Sequence, residues 1–211
     1  MTEQFVYLHG FASSPKSAKA QYFQNCFSAA NLSLQIPDLN CGDFCHLTLT
    51  RQINQVQALL QDLSPAPVTL IGSSFGGLTA AWLAERSCQV RRLVLLAPAF
   101  EFWQHWQLRL ADQLEQWQQQ PLLVYHHGER QMLPLHYQFV RDLQQYDETQ
   151  IQRALPTLIL HGRQDEVIPI QASRRFAERR ASVNLVELES DHELIDVQEQ
   201  IWREIQAFCQ I

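Results

Sequence analysis

Apolar positions along the chain keep two rhythms. Short apolar runs predict strands at Phe5 to Leu8, Leu32 to Ile36, Val68 to Ile71, Leu93 to Ala97, Thr157 to Leu160 and Leu185 to Leu188. Pro37 and Pro98 close the second and fourth of these. Between the runs, apolar residues recur at helical spacing. This predicts helices over Ser17 to Phe27, Thr50 to Leu63, Leu78 to Glu85, Ile170 to Arg180 and Leu194 to Cys209. The clearest stripe is Ile53, Val56, Leu59, Leu60 and Leu63. Strands alternating with helices predict an α/β fold, with a mostly parallel sheet of about six strands and helices on both faces. Most of the strand runs are apolar throughout, as a sheet covered on both faces requires.

The alternation breaks from about residue 99 to 155. This stretch holds Trp103, Trp106 and Trp117, a glutamine-rich part, an interruption at His126-His127-Gly128, and a helix-like run from Phe139 to Tyr146. An insertion of that length is rarely a bare loop. It predicts a small helical cap over the strand ends.

At 211 residues, with 46% hydrophobic and 18% charged, the chain suits one folded domain over residues 1–211 rather than a disordered segment. The formal net charge is −6. The only dense basic spots are Arg91-Arg92 and Arg174-Arg175 with Arg179-Arg180, so nucleic acid is not an expected partner. No apolar run reaches the roughly 18–20 residues of a membrane span. The N-terminus runs straight into a strand without a signal-peptide pattern. The cysteines Cys26, Cys41, Cys45, Cys88 and Cys209 are odd in number and scattered, which fits reduced thiols in the cytoplasm. Cys41-x-x-x-Cys45 followed by His46 is their only close set. No second cysteine pair completes it, so neither a metal nor a cofactor is expected.

The chemistry concentrates at Val68-Thr69-Leu70-Ile71-Gly72-Ser73-Ser74-Phe75-Gly76-Gly77. An apolar strand ends in Gly-x-Ser-x-Gly and a helix-like segment follows. A serine at a tight strand-to-helix turn is pushed out of the sheet with its Oγ exposed, which nominates Ser74 as a nucleophile. Side chains at positions 72 and 76 would crowd that turn. A serine hydroxyl needs a base, and the base needs a group to orient it. His192 follows the last strand in Glu189-Ser190-Asp191-His192-Glu193, at the sheet edge where Ser74 emerges. Asp165 follows the Thr157 to Leu160 strand at the same edge, with Glu166 and Asp191 as weaker rivals. Two backbone N–H groups are expected to receive an oxyanion: Phe75, after the serine, and Phe11, in the loop after the first strand. His9 and His161, each at a strand exit, are expected to be structural. Ser73 and Ser14 lack the setting of a nucleophile. Phe100, Phe102, Trp103, Trp106 and Leu110 leave from the same edge, and Trp103 with Trp106 are expected to shelter an acyl chain.

The order Ser74, Asp165, His192 is that of α/β-hydrolases. Tyr7-Leu8-His9-Gly10-Phe11-Ala12-Ser13-Ser14-Pro15, the Ile71 to Gly77 stretch and the Pro156 to Pro169 stretch together resemble the YqiA-type small esterases of the α/β-hydrolase superfamily. The resemblance spans nearly the whole chain in the same motif order. It implies a short hydrolase that starts at the strand bearing the His-Gly oxyanion loop. It also implies cofactor-free cleavage of a small-molecule carboxylic ester or thioester. Two readings stand at this point: a serine esterase or thioesterase for small to medium acyl groups, and a catalytically idle α/β-hydrolase fold serving as a binding module. A C–C hydrolase or peptidase could use the same three residues.

Overall fold

The computed structural model describes residues 2–211. Its main sheet has six strands, β1 (Gln4–Leu8), β2 (Leu34–Gln35), β3 (Val68–Ser73), β4 (Val90–Leu96), β7 (Thr157–Gly162) and β8 (Val183–Leu188). They run in the order β2-β1-β3-β4-β7-β8, every pair parallel. The predicted strand over Leu32 to Ile36 pairs only at Leu34 and Gln35, at the sheet edge.

Side-chain alternation divides the core. Phe5, Tyr7, Ile71, Val94 and Leu96 pack with Phe23 and Phe27 of α1 (Ala18–Ala29) and with Ile201 and Ile205 of α8 (Gln198–Cys209). Val6, Leu8, Leu70, Leu93 and Leu95 face the other way, toward α2 (Leu49–Asp62), α3 (Phe75–Arg86) and α7 (Ile170–Glu178). Ser17 opens α1 and Thr48 opens α2, each accepting a backbone N–H of the first turn. The last helix starts at Gln198 rather than Leu194, because Leu194 takes a positive φ of 55°, which a right-handed helix excludes, and the loop runs on to Val197.

The segment between β4 and β7 holds the expected helices and a hairpin besides. It carries α4 (Phe102–Arg109), α5 (Leu114–Gln119) and α6 (Gln138–Leu143), but also an antiparallel hairpin of β5 (Leu122–His126) and β6 (Gln131–Leu135). Both strands hide their period in the sequence. Leu123 and Tyr125 are apolar yet exposed, so the alternation is blurred, and Pro134 interrupts β6. His127, Gly128, Glu129 and Arg130 form the hairpin turn. His127 N donates to Ala12 O at 2.8 Å, which docks the hairpin on the loop after β1.

Register sets up the edge that matters. Leu8 pairs with Gly72, Ser73 with Leu96, and Gly162 with Leu188. The loops after β1, β3, β7 and β8 therefore leave the sheet side by side, at the strand C-termini where α/β folds gather their ligands.

Candidate active site

Ser74 sits between β3 and α3 with φ 53° and ψ −117°, a strained backbone for a residue with a Cβ. The strain falls on the serine itself, not on its glycines. Those are needed for closeness instead: a Cβ on Gly72 would stand 2.5 Å from Gly76 O, and one on Gly76 would stand 2.2 Å from Leu8 O. Ser74 N donates to Leu96 O at 2.9 Å, and Ser74 O accepts from Gly77 N at 2.8 Å and Ala99 N at 3.0 Å. The turn is thus pinned on both sides and its Oγ is free to point outward.

His192 Nε2 lies 3.0 Å from Ser74 Oγ, and His192 Nδ1 lies 2.7 Å from Asp165 Oδ2. The carboxylate accepts at Nδ1, so that nitrogen carries the proton and Nε2 is left to accept from the serine. The Asp165 side chain is fully buried, and the His192 side chain is 19% exposed. Asp165 Oδ1 accepts from Val167 N and Ile168 N, both at 2.8 Å. Burial alone raises the Asp165 pKa. The hydrogen bonds from His161, His192 and Ile168 outweigh it and hold the carboxyl well below the usual carboxylate range. Glu166 is exposed, and its carbonyl, rather than its carboxylate, takes the Arg109 guanidinium. Asp191 accepts from Glu193 N at 2.8 Å and Leu194 N at 3.3 Å, ordering the loop that carries His192.

His161 adds a part that the sequence does not announce. Its Nε2 lies 3.0 Å from both Asp165 Oδ2 and Ile168 O, two acceptors, so Nε2 carries the proton. Its Nδ1 then accepts from Ser173 Oγ at 2.8 Å. The ring is wholly buried and braces Asp165 from behind. An i, i+4 His and Asp across a loop has no sequence signature.

The loop after β1 comes against the serine. A Cβ on Gly10 would stand 3.4 Å from Ser74 Cβ. His9 is structural, as expected. Its Nε2 accepts from Leu39 N at 2.9 Å, leaving its Nδ1 to donate to Gly10 O at 2.9 Å. Gly10 O and Phe11 N–H share one planar peptide and point opposite ways. By holding the carbonyl, His9 fixes where the Phe11 N–H points. Phe75 N–H opens α3 and has no acceptor within its own helix. Ser73 turns to the other face, where its Oγ accepts from Lys19 Nζ at 3.1 Å. Burial pulls the Lys19 ammonium down to about 8, against Glu193, Asp165 and Asp191, which raise it.

Ser74 and His192 open on a cavity of about 800 Å³. Its apolar lining includes Phe11, Phe102 and Trp106, with Val124 and Tyr125 from the hairpin. Phe11 is the hub, with ring centroids 5.3 Å from Trp106 and from Phe139 and 6.2 Å from Phe102. Lys16, Lys19, Arg109 and Arg130 also line the cavity, against Glu193 as its acidic member. Trp103 does not line it. It belongs to a second cavity of about 770 Å³, with Trp82, Glu148 and Arg175. The separation follows from helical spacing in α4: Phe102, His105, Trp106 and Arg109 share one face, and Trp103 with Gln104 lies on another.

The profile of the uncharacterised protein family UPF0227 matches residues 4–210, and the chain belongs to that family, the YqiA type. No curated protein matches the chain in sequence. Among solved structures, Est1E from Butyrivibrio proteoclasticus with ferulic acid bound aligns at TM-score 0.79 and 19% identity, over 99% of this chain and 88% of its own. Mouse alpha/beta hydrolase domain-containing protein 10 aligns at TM-score 0.79 and 20% identity, over 98% of this chain and 89% of its own. A monoacylglycerol lipase from Paleococcus ferrophilus aligns at TM-score 0.76 and 18% identity, over 97% of this chain and 93% of its own. The fold is therefore that of the α/β-hydrolases. Among the described residues no helix is long and apolar enough to cross a membrane.

Proposed function

We propose, from the family membership and the hydrogen-bond path at the sheet edge together, that the chain is a serine hydrolase. It cleaves carboxylic esters or thioesters of small to medium acyl groups through an acyl-enzyme. Residues 1–211 form one hydrolase domain on this reading, with residues 99–155 as its cap. The observation that carries it is the unbroken path from Ser74 Oγ through His192 to Asp165.

Ser74 Oγ attacks the acyl carbon while His192 Nε2 takes its proton. Asp165 keeps the imidazole in the required tautomer and stabilises the imidazolium. The oxyanion forms against the N–H groups of Phe11 and Phe75. His192 then gives its proton to the leaving oxygen or sulfur. Water repeats the sequence on the acyl-enzyme, with His192 again as base, and frees the acid. The five cysteines stand unpaired, which suits a reducing compartment such as the cytoplasm.

The apolar wall of Phe11, Phe102 and Trp106 suits the acyl chain, and the cationic side chains of Lys16, Arg109 and Arg130 suit an anionic leaving part. The resemblance to Est1E, solved with ferulic acid, makes feruloyl esters a natural addition to any substrate series. A fluorophosphonate probe tests the reading directly. It is expected to label the wild-type chain at Ser74 and to leave Ser74→Ala unlabelled. Equal labelling of a folded Ser74→Ala variant would overturn it, and so would its retaining wild-type turnover of p-nitrophenyl esters.

A further inference from the structure

The Cys45-His46 pair lacks a partner in the sequence, but the fold supplies one. Cys45 and His46 lie in a short 3-10 turn, Phe44–His46, ahead of α2. His136 follows β6, at the foot of the hairpin. The ligand atoms of Cys45, His46 and His136 all lie within 4.8 Å of one another. The two imidazole rings stack with centroids 4.6 Å apart and planes 18° from parallel. His136 N donates to Cys45 O at 2.9 Å, so the two segments already hold each other at the backbone.

A second observation points to a metal. Asp43 Oδ2 lies 2.7 Å from His46 Nδ1. Metal-binding histidines usually give their outer N–H to a carboxylate, which fixes the ring and makes the inner nitrogen more basic. Asp43 takes the Nδ1 side of His46, which leaves Nε2 as the nitrogen free to bind a metal. Asp43 is held in turn by His46 N at 3.4 Å and by Arg51, 4.0 Å away.

We propose that Cys45, His46 and His136 form a zinc site that fastens the hairpin to the body of the protein. One thiolate and two imidazoles make a borderline-soft set that favours Zn²⁺ over Mg²⁺ or Ca²⁺. Tetrahedral zinc, with sulfur at about 2.3 Å and nitrogen at about 2.0–2.1 Å, brings its ligand atoms to roughly 3.5 Å from one another. The cluster therefore closes by about an ångström, and the His46 side chain, 60% exposed, has the freedom to do it. Water fills the fourth position. Binding replaces the proton of the Cys45 thiol by the metal and releases that proton.

None of the three residues lines the Ser74 cavity, so zinc has no part in the hydrolysis. Its effect is on the wall. The hairpin brings Val124, Tyr125, His127 and Gly128 to that cavity, and a metal joining His136 to the Phe44–His46 turn ties down the returning strand.

The test uses the full chain, stripped with EDTA, desalted and titrated with Zn²⁺ and with Co²⁺. One equivalent of Zn²⁺ is expected to bind with a Kd below about 1 μM. Saturating Zn²⁺ is expected to raise Tm by several degrees, with ester turnover by the stripped protein unchanged. Bound Co²⁺ is expected to show a thiolate-to-cobalt charge-transfer band that Cys45→Ser abolishes. Asp43→Asn is expected to weaken zinc by about 10–100-fold. Cys41→Ser leaves binding intact. His136→Ala, or His136→Gln if that variant does not fold, is expected to weaken zinc by more than Asp43→Asn does. Zinc binding weaker than about 0.1 mM would overturn the site. A Co²⁺ complex without a thiolate band would do so too, as would wild-type zinc affinity in folded Cys45→Ser.

Discussion

His161 Nε2 and His192 Nδ1 converge on the same oxygen of Asp165, at 3.0 and 2.7 Å. Both oxygens of this buried carboxylate are thus fully engaged, Oδ2 by two imidazoles and Oδ1 by two backbone N–H groups. A carboxylate so held cannot rotate away from His192. His161 is a positioning residue on this geometry, acting on the serine only through Asp165.

His161→Ala is therefore expected to lower kcat by about 10–100-fold while leaving KM near wild type, since nothing that touches substrate has changed. The cavity and the unmet Ser173 and Asp165 partners also lower Tm. His161→Gln keeps a donor toward Asp165 and is expected to recover most of kcat. A variant that loses Tm but keeps kcat would reduce His161 to packing alone.

Asp165→Asn is expected to cost up to about 10⁴ in kcat, and Glu166→Gln a few-fold at most. The same substitution has a signature in acid. The folded pKa of Asp165 is depressed below its unfolded value of about 3.9. Its contribution to stability is present above that value and is lost as pH falls through the lower folded one. Denaturant melts from about pH 5 downward are expected to fall more steeply for wild type than for Asp165→Asn. Parallel curves, or a larger kcat loss in Glu166→Gln, would move the orienting role to another residue.

Most of the candidate site is legible because its parts hang on strand ends, and strand ends show in sequence. Ser74, Asp165 and His192 each follow an apolar run, and register alone brings them to one edge. His161 was visible as a strand exit, but its link to Asp165 and Ser173 is a matter of side-chain geometry. The hairpin was hidden because its apolar residues occupy both faces of β5. Proximity in sequence groups Trp103 with Trp106, but the two line different cavities. The i, i+3, i+4, i+7 stripe of Phe102, His105, Trp106 and Arg109 marks the cavity-facing side of α4 and leaves Trp103 out.

Glu148 gives a pH effect of the opposite sign. Burial pushes its carboxyl up to about 7, with Glu101 and Asp147 adding to the rise and the hydrogen bond from Glu101 N opposing it. The folded pKa lies above the ordinary 4.5, so stability is full below that value and is lost as pH rises toward about 7. Glu148→Gln keeps an acceptor for Glu101 N and never ionises. Its Tm is expected to match wild type near pH 4 and to exceed it by a few degrees near pH 8. An advantage that is equal at both pH values would mean the carboxyl ionises freely.

The two tryptophans of α4 separate substrate choice from stability. Trp106 lines the Ser74 cavity beside Phe11 and Phe102, and Trp103 lines the other one. Each methylene buried against Trp106 is worth roughly 0.8 kcal/mol, so kcat/KM for wild type is expected to climb from acetyl to short or medium acyl esters. It falls once the chain fills the space. Trp106→Ala removes part of that wall and enlarges the cavity. The climb is expected to flatten and the optimum to move to longer chains, with acetyl ester turnover the least affected. Trp103→Ala is expected to keep the wild-type profile and to lower Tm alone. Rates across a series of p-nitrophenyl esters and CoA thioesters measure both variants together. If Trp103→Ala reshapes the profile and Trp106→Ala does not, the acyl chain lies in the second cavity and the assignment of the two walls is reversed.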